Sequence, residues 1–421
     1  METSDHLYRR EAGRMVATLT RIFGVHNIAL AEDVVHDAFC RALEVWKFRG
    51  IPENPSAWLM ASAKNRALDV MRRERTALRY APELGRLLES EWTLRPTLDE
   101  AFEPHAIKDD QLRMMFSCCN PRLTENAQIA LILQLLCGFS VREVAAAYLI
   151  GYAAAEKRIG RAKKVLAASE GLFEIAGAAD FTARLAAVQR ALYLLFNEGY
   201  HGSSSESPVR TDLCREAMRL ASLLLAHPLA ATPATRALYA LMCFNAARLT
   251  GRVDALGDLI PLADQDRSLW DRRLIDEGER YINLAATGAE VSEYHIEAAL
   301  AAMHTCAPSA AETNWAEIVE LYDALLRLRS SPVVELNRAI AIAQIDGPER
   351  GLAELRAISD SEKLASYPFY AAALGDFELR CGRGEYAREH FQSALSLARN
   401  PMERRFLERR LAACSAAAEA G

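Results

Sequence analysis

PSAWLMASAKNRALDVMRRER, residues 55–75, is the stretch from which the fold can be read. Leu59, Ala63, Ala67, Val70 and Met71 recur at three- and four-residue spacing, which lays one apolar stripe along a helix. Asn54 suits the N-cap and Pro55 the first turn, so the helix is expected over 55–80. Asn65, Arg66, Asp69, Arg72 and Arg73 project away from the stripe. From Lys64 to Arg79 there are six basic residues against two acidic ones. Asn bonds adenine bidentately, Arg pairs with guanine or phosphate, and an aromatic such as Trp58 stacks on an unpaired base. The competing reading is a solvated charged face on a packed helix.

Working toward the N-terminus, residues 7–47 read as two helices broken near Gly24–Asn27. The second contains AEDVVHDAFCRAL (31–43), with acids on one side and Val34, Ala38 and Ala42 on another. Acids with apolar neighbours suit a basic protein partner better than DNA. Acid enrichment at a helix N-terminus for dipole reasons is equally good physics.

Toward the C-terminus, residues 81–108 hold three prolines and an excess of acid, a linker composition. Helical periodicity resumes near Asp109 and continues over 125–137, 140–149 and 152–168. Gly138 is a stop signal, and Ser140 with Glu143 is a capping box. Two short helices about Gly151 give a helix-turn-helix outline. In its last helix Lys157, Arg158, Arg161, Lys163 and Lys164 place five positive charges within eight residues. Its opening residues, Gly151 to Ala155, hold few hydrogen-bonding groups, so phosphate contacts should supply most of any DNA affinity. From about Phe181 the chain is helix after helix. DGPERGLAELRAI (346–358) and RGEYAREHFQSAL (383–395) look alike and fit a tetratricopeptide pattern, with a plain helical bundle as the alternative. Strand-like alternation is missing, so the expected class is all-α.

The 421 residues carry a net charge of −6, which hides an asymmetry. Residues 1–170 hold 24 Lys and Arg against 22 Asp and Glu; the remainder hold 26 against 34. Separate tasks for the two halves follow. No apolar run approaches a membrane span and the N-terminus has no apolar signal region, so a cytoplasmic, nucleoid-associated protein is expected. Nine cysteines show no metal-ligand spacing, and Cys118–Cys119 reads as buried packing. Neither a cofactor nor a metal is expected. No P-loop, GxGxxG, GxSxG or HExxH occurs, so no enzyme is expected. His36, His201 and His295 are isolated and read as structural. Two compact polar clusters, Asn197–Tyr200 and Asp264–Arg267, read as inter-helix junctions or, less readily, as a ligand site.

Residues 31–43, 55–75 and 125–168, in this order, resemble bacterial extracytoplasmic-function sigma factors. The segments Phe116–Pro121, Leu195–Tyr200, Asp264–Trp270, Ser309–Trp315 and Ser331–Arg338 resemble the subgroup with a long tetratricopeptide-like C-terminal extension. The resemblance implies region 2 over 1–80, a linker over 81–108, region 4 over 109–170 and the extension over 180–421. It implies that Asp33, Asp37, Ala38, Phe39 and Ala42 dock on the β′ clamp helices of core RNA polymerase, with the β flap as a further contact. Trp58, Lys64, Asn65, Arg66, Asp69, Arg72 and Arg73, with the loop Phe48–Asn54, would unpair and read the −10 element of promoter DNA. Tyr152, Ala153, Lys157, Arg158, Arg161 and Lys164 would meet the −35 element. His36 stands where the family commonly has Gln, and Tyr152 with three alanines stands where it commonly has hydroxyl or acidic residues. The extension would be a regulatory module for an unidentified ligand or protein partner. Two other readings compete: a standalone helix-turn-helix regulator with a repeat-type sensor, and a helical scaffold whose basic faces are only solvated.

Overall fold

The computed structural model describes residues 4–73, 109–148, 150–168, 178–201, 209–254, 258–288, 290–359, 361–398 and 401–419. Its regular structure is helical throughout, apart from an isolated antiparallel bridge between Val253 and Leu259. The chain divides into two compact units, residues 1–195 with 215–231, and residues 196–214 with 232–421.

In the first unit, α1 (Ser4–Phe23) and α2 (Ile28–Arg49) are separated by a 3-10 turn over Val25–Asn27. Gly24 supplies the left-handed φ of 82° that ends α1, and Asn27 Nδ2 donates to Phe23 O at 2.7 Å. Gly50, at φ 77°, turns the chain out of α2, and its N–H donates to Trp46 O. α3 (Pro55–Arg73) opens where Asn54 Oδ1 accepts from Ala57 N at 3.0 Å, so the local cap chemistry read from the sequence is realised. Leu59, Ala63 and Ala67 of α3 are fully buried against Val34, Val35 and Ala38 of α2 and Leu19 of α1. The expected end of α3 at 80 and the acidic linker at 81–108 lie outside the described residues.

α4 (Asp110–Cys118) is capped by Asp109, whose Oδ1 accepts from Leu112 N. α5 (Glu125–Leu136), α6 (Val141–Ala147) and α7 (Tyr152–Ala167) follow. Gly138 at φ 68° turns the chain between α5 and α6. Ser140 N donates to Glu143 Oε2 at 2.7 Å and Glu143 N to Ser140 Oγ at 3.2 Å, closing the capping box. α1 packs on α4 and α5. Gly13 permits this approach, because a Cβ there would lie 2.0 Å from the carbonyl oxygen of Leu136. Gln111 Nε2 donates to the same oxygen at 2.8 Å, and Arg21 pairs with Asp110 at 3.0 Å. Cys118 and Cys119 are buried, and burial pushes the Cys119 thiol up to about 12.

α8 (Ala178–His201) and α9 (Thr211–Ala226) each contribute to both units. The expected boundary at residue 180 therefore does not coincide with the division of contacts. Phe181 stacks on Phe116 at 4.5 Å and on His227 at 4.7 Å. Arg219 pairs with Asp109 at 2.9 Å and donates to Gln111 at 3.2 Å. These contacts hold 178–195 and 215–231 against α4.

The second unit continues with α10 (Pro233–Ala247), α11 (Arg272–Ala285), α12 (Glu293–Cys306), α13 (Trp315–Leu328), α14 (Pro332–Asp346), α15 (Pro348–Arg356), α16 (Pro368–Arg380), α17 (Gly384–Ser396) and α18 (Pro401–Glu419). Each of these helices packs on the next in sequence. Two glycines allow close crossings. A Cβ at Gly375 would lie 3.1 Å from the Phe391 ring, and one at Gly351 would lie 2.7 Å from that of Phe377.

Candidate nucleic-acid interface

The acidic segment of α2 has two distinct faces. Asp33 and Asp37 are exposed on one side. Ala38, Phe39 and Ala42, expected beside them on the docking surface, are not there: they are 2%, 8% and 1% exposed and face the helical core. Helical spacing explains the difference. Ala31, Val34, Val35, Ala38 and Ala42 form the single stripe that must meet α1 and α3, with Phe39 edge-on to Tyr8 at 4.8 Å. Leu43, further along the same helix, is 58% exposed, and sequence reasoning did not single it out.

α3 presents Asn65, Arg66 and Asp69 to solvent and leaves Lys64 half-buried. The helix backbone includes Arg72 and Arg73, whose side chains lie outside the described residues. Trp58 is half-buried and stands edge-on to Trp46, with ring centroids 5.5 Å apart. Its half-buried ring packs on the core of the bundle. The open aromatic is Phe48, 84% exposed at the end of α2, with Ile51 56% exposed in the loop beyond it. Arg66 Nε lies 3.0 Å from Asp37 Oδ2. This pair joins a residue expected to meet protein with one expected to meet DNA. Its 29-residue separation leaves no local signal in the sequence.

α7 opens at an exposed Gly151, followed by exposed Tyr152, Ala153 and Ala154. Lys157, Gly160, Arg161 and Lys164 continue that exposed face at helical spacing, while Ala155, Ile159, Ala162 and Leu166 are buried. Arg158 is half-buried, with its guanidinium 5.4 Å from the ring centroid of Tyr148. Burial pushes the Tyr148 hydroxyl up to about 12, against the pull of Arg190 and Arg158. Lys163 turns toward α2 and pairs with Glu32 at 2.7 Å. The expected residues thus form two surfaces: a mixed acidic and polar one on α2 and α3, and a basic one on α7. Among the described residues, no helix is long and apolar enough to cross a membrane.

Residues 7–77 match sigma-70 region 2, and residues 184–286 match a family of unknown function, DUF6596. The chain is also similar to an uncharacterized protein of Rhizobium meliloti (strain 1021), with 40% identity over 398 residues, 94% of this chain and 92% of that protein. No solved structure matches.

Proposed function

We propose, from the premise that the chain belongs to one family with the uncharacterized Rhizobium meliloti protein and opens with sigma-70 region 2, that it is a sigma factor. It binds core RNA polymerase and promoter DNA and acts in transcription initiation. The observation that carries this reading is the region 2 match over 7–77, which falls on the α1–α3 bundle and its exposed Asp33, Asp37, Asn65 and Arg66. A standalone regulator would have no use for that module, so the alternative is not favoured.

Finer roles follow within the proposal. Asp33 and Asp37 dock on a basic and apolar helix pair of the polymerase clamp. Exposed polar groups of α3, with Phe48 and Ile51, take up the unpaired −10 strand, where a ring face offsets part of the unstacking cost of a few kcal/mol, of the order of that for flipping a base. The α5–α7 segment is region 4, with Lys157, Arg161 and Lys164 neutralising phosphates at the −35 element. The factor is of the extracytoplasmic-function type, and its tetratricopeptide-like extension regulates it. The packing of 178–195 and 215–231 against α4, next to the helix-turn-helix, supports a regulatory route from extension to DNA-binding helices. Co-elution of the full-length chain with core polymerase tests the proposal. A stable complex is expected, and its loss is expected when Asp33 and Asp37 are both replaced by Arg. Failure of the wild-type chain to associate would refute it.

A further inference from the structure

The polar segments Asn197–Tyr200 and Asp264–Arg267 are far apart in sequence, yet both meet the residues that follow α10. The Arg252 guanidinium lies 3.7 Å from the centroid of the Tyr200 ring, and that of Arg248 lies 5.8 Å from it. Arg267 stacks over Trp270 at 4.6 Å and donates to the carbonyls of His304 and Ala307. Gly251 joins the two halves, since a Cβ there would come 3.1 Å from Trp270 Nε1. Glu198, the acid of the first segment, is taken by Arg210 at 3.3 Å.

Arg248 and Arg252 share the Tyr200 ring, and Arg267 stacks on Trp270; Arg248 is buried, and Arg252 and Arg267 are half-buried. Arg248 is only 7% exposed and Trp270 6%. Arg248 bonds Asn245, but among the described residues its Nε, the Nε of Arg252, Trp270 Nε1 and Gln265 Oε1 are buried without hydrogen-bond partners. Burial depresses the Arg248 pKa, and Arg252 depresses it further. The groups opposing that depression are the Tyr200 and Tyr322 hydroxyls rather than a carboxylate. Arg267 is lowered by burial and by Arg248, and His304 falls to about 4 through burial first, then Arg248 and Arg267. Buried positive charge with idle donors is unfavourable unless an anion reaches it. A guanidinium stacked on a ring keeps its in-plane N–H groups free, and that planar fork matches an oxyanion.

We propose that Tyr200, Arg248, Arg252 and Trp270 form a binding site for a small oxyanion, the phosphate or carboxylate group of a soluble ligand, within the C-terminal unit. The four residues lie inside the stretch that matches the family of unknown function, so the site gives that segment a sensing role. The proposal goes beyond the sigma-factor reading and stands on its own residues.

The test uses the full-length chain in thermal melts and titration calorimetry with sodium phosphate and sodium citrate, against sodium chloride at matched ionic strength. One of the two oxyanions is expected to raise Tm saturably, by about 3 °C at a hundredfold excess over its Kd, and to bind one per chain. The anion that acts identifies phosphate or carboxylate as the recognised group. Arg252→Gln is expected to weaken binding at least tenfold, and Arg252→Lys, which keeps the charge but loses the fork, by less. If Arg252→Gln does not fold, Arg252→Lys serves with the wild type: any weakening supports the site. Absence of a saturable oxyanion response in the wild type, or an unchanged response in the folded variants, overturns the proposal.

Discussion

Asp37 and Arg66 share an ion pair 3.0 Å long, with side chains 51% and 47% exposed. A pair this open contributes less than about 1 kcal/mol to folding, because water screens it. Asp37→Arg should therefore fold, with a Tm within a few degrees of wild type, while its polymerase affinity falls about tenfold or more. The charge swap Asp37→Arg with Arg66→Asp separates the two roles. It restores the pair but should not restore polymerase binding; recovery would show that the pair, not the carboxylate, matters. His304 gives a second prediction at this scale. Its pKa is about 4 in the folded chain, against 6.5 when unfolded, through burial and then the Arg248 and Arg267 charges. Between those values the unfolded chain binds the extra proton, so stability is lost as pH falls from about 6.5 toward 4. The loss is up to about 3 kcal/mol, and His304→Gln should flatten it in urea titrations at pH 7 and pH 4.5. At this scale the sequence was least legible. Periodicity separates an apolar stripe from acids, but nothing in it says that Ala38, Phe39 and Ala42 face α1 and α3 rather than a partner.

Helix α7 makes the sharpest prediction among the elements. Gly160 is exposed within it, and a Cβ there would meet nothing within 4 Å. Gly160→Ala should stabilise the free protein by about 1 kcal/mol, through helix propensity and a less flexible unfolded chain. Lys157→Ala and Lys164→Ala should each flatten the salt dependence of promoter-complex binding by about 0.9 in log–log slope, if each meets one phosphate. An unchanged slope would move the DNA face elsewhere on the unit. Helices of this kind were legible because their signals are local. Asn54 caps α3 and Ser140 and Glu143 close their box, each within three residues of its partner, and Gly24 and Gly138 take the left-handed turns. The edge-on contact of Trp58 with Trp46, twelve residues earlier, is one that no local pattern announces.

Across the whole molecule, the division of contacts runs through α8 and α9, a feature no local pattern announces. Phe116, Phe181 and His227 form one stack, and Asp109 and Gln111 share Arg219, each contact joining residues more than forty positions apart. A chain cut after residue 175 would lose those partners. It should melt well below the intact protein's first transition, with Phe116 newly exposed. Equal stability would show that α4 needs no support from beyond residue 180. Helical class, the acidic and basic halves and the two polar segments near Tyr200 and Arg267 were visible in the sequence. That the last two meet around Arg248 required the fold. The central claim, that this chain directs a polymerase to promoters, is tested most directly by run-off transcription from a promoter library with bacterial core polymerase and the full-length protein. Start sites that depend on the protein and vanish when Asp33 and Asp37 are both changed to Arg are the predicted result. Absence of any new start site, from a chain that still binds duplex DNA, would contradict it.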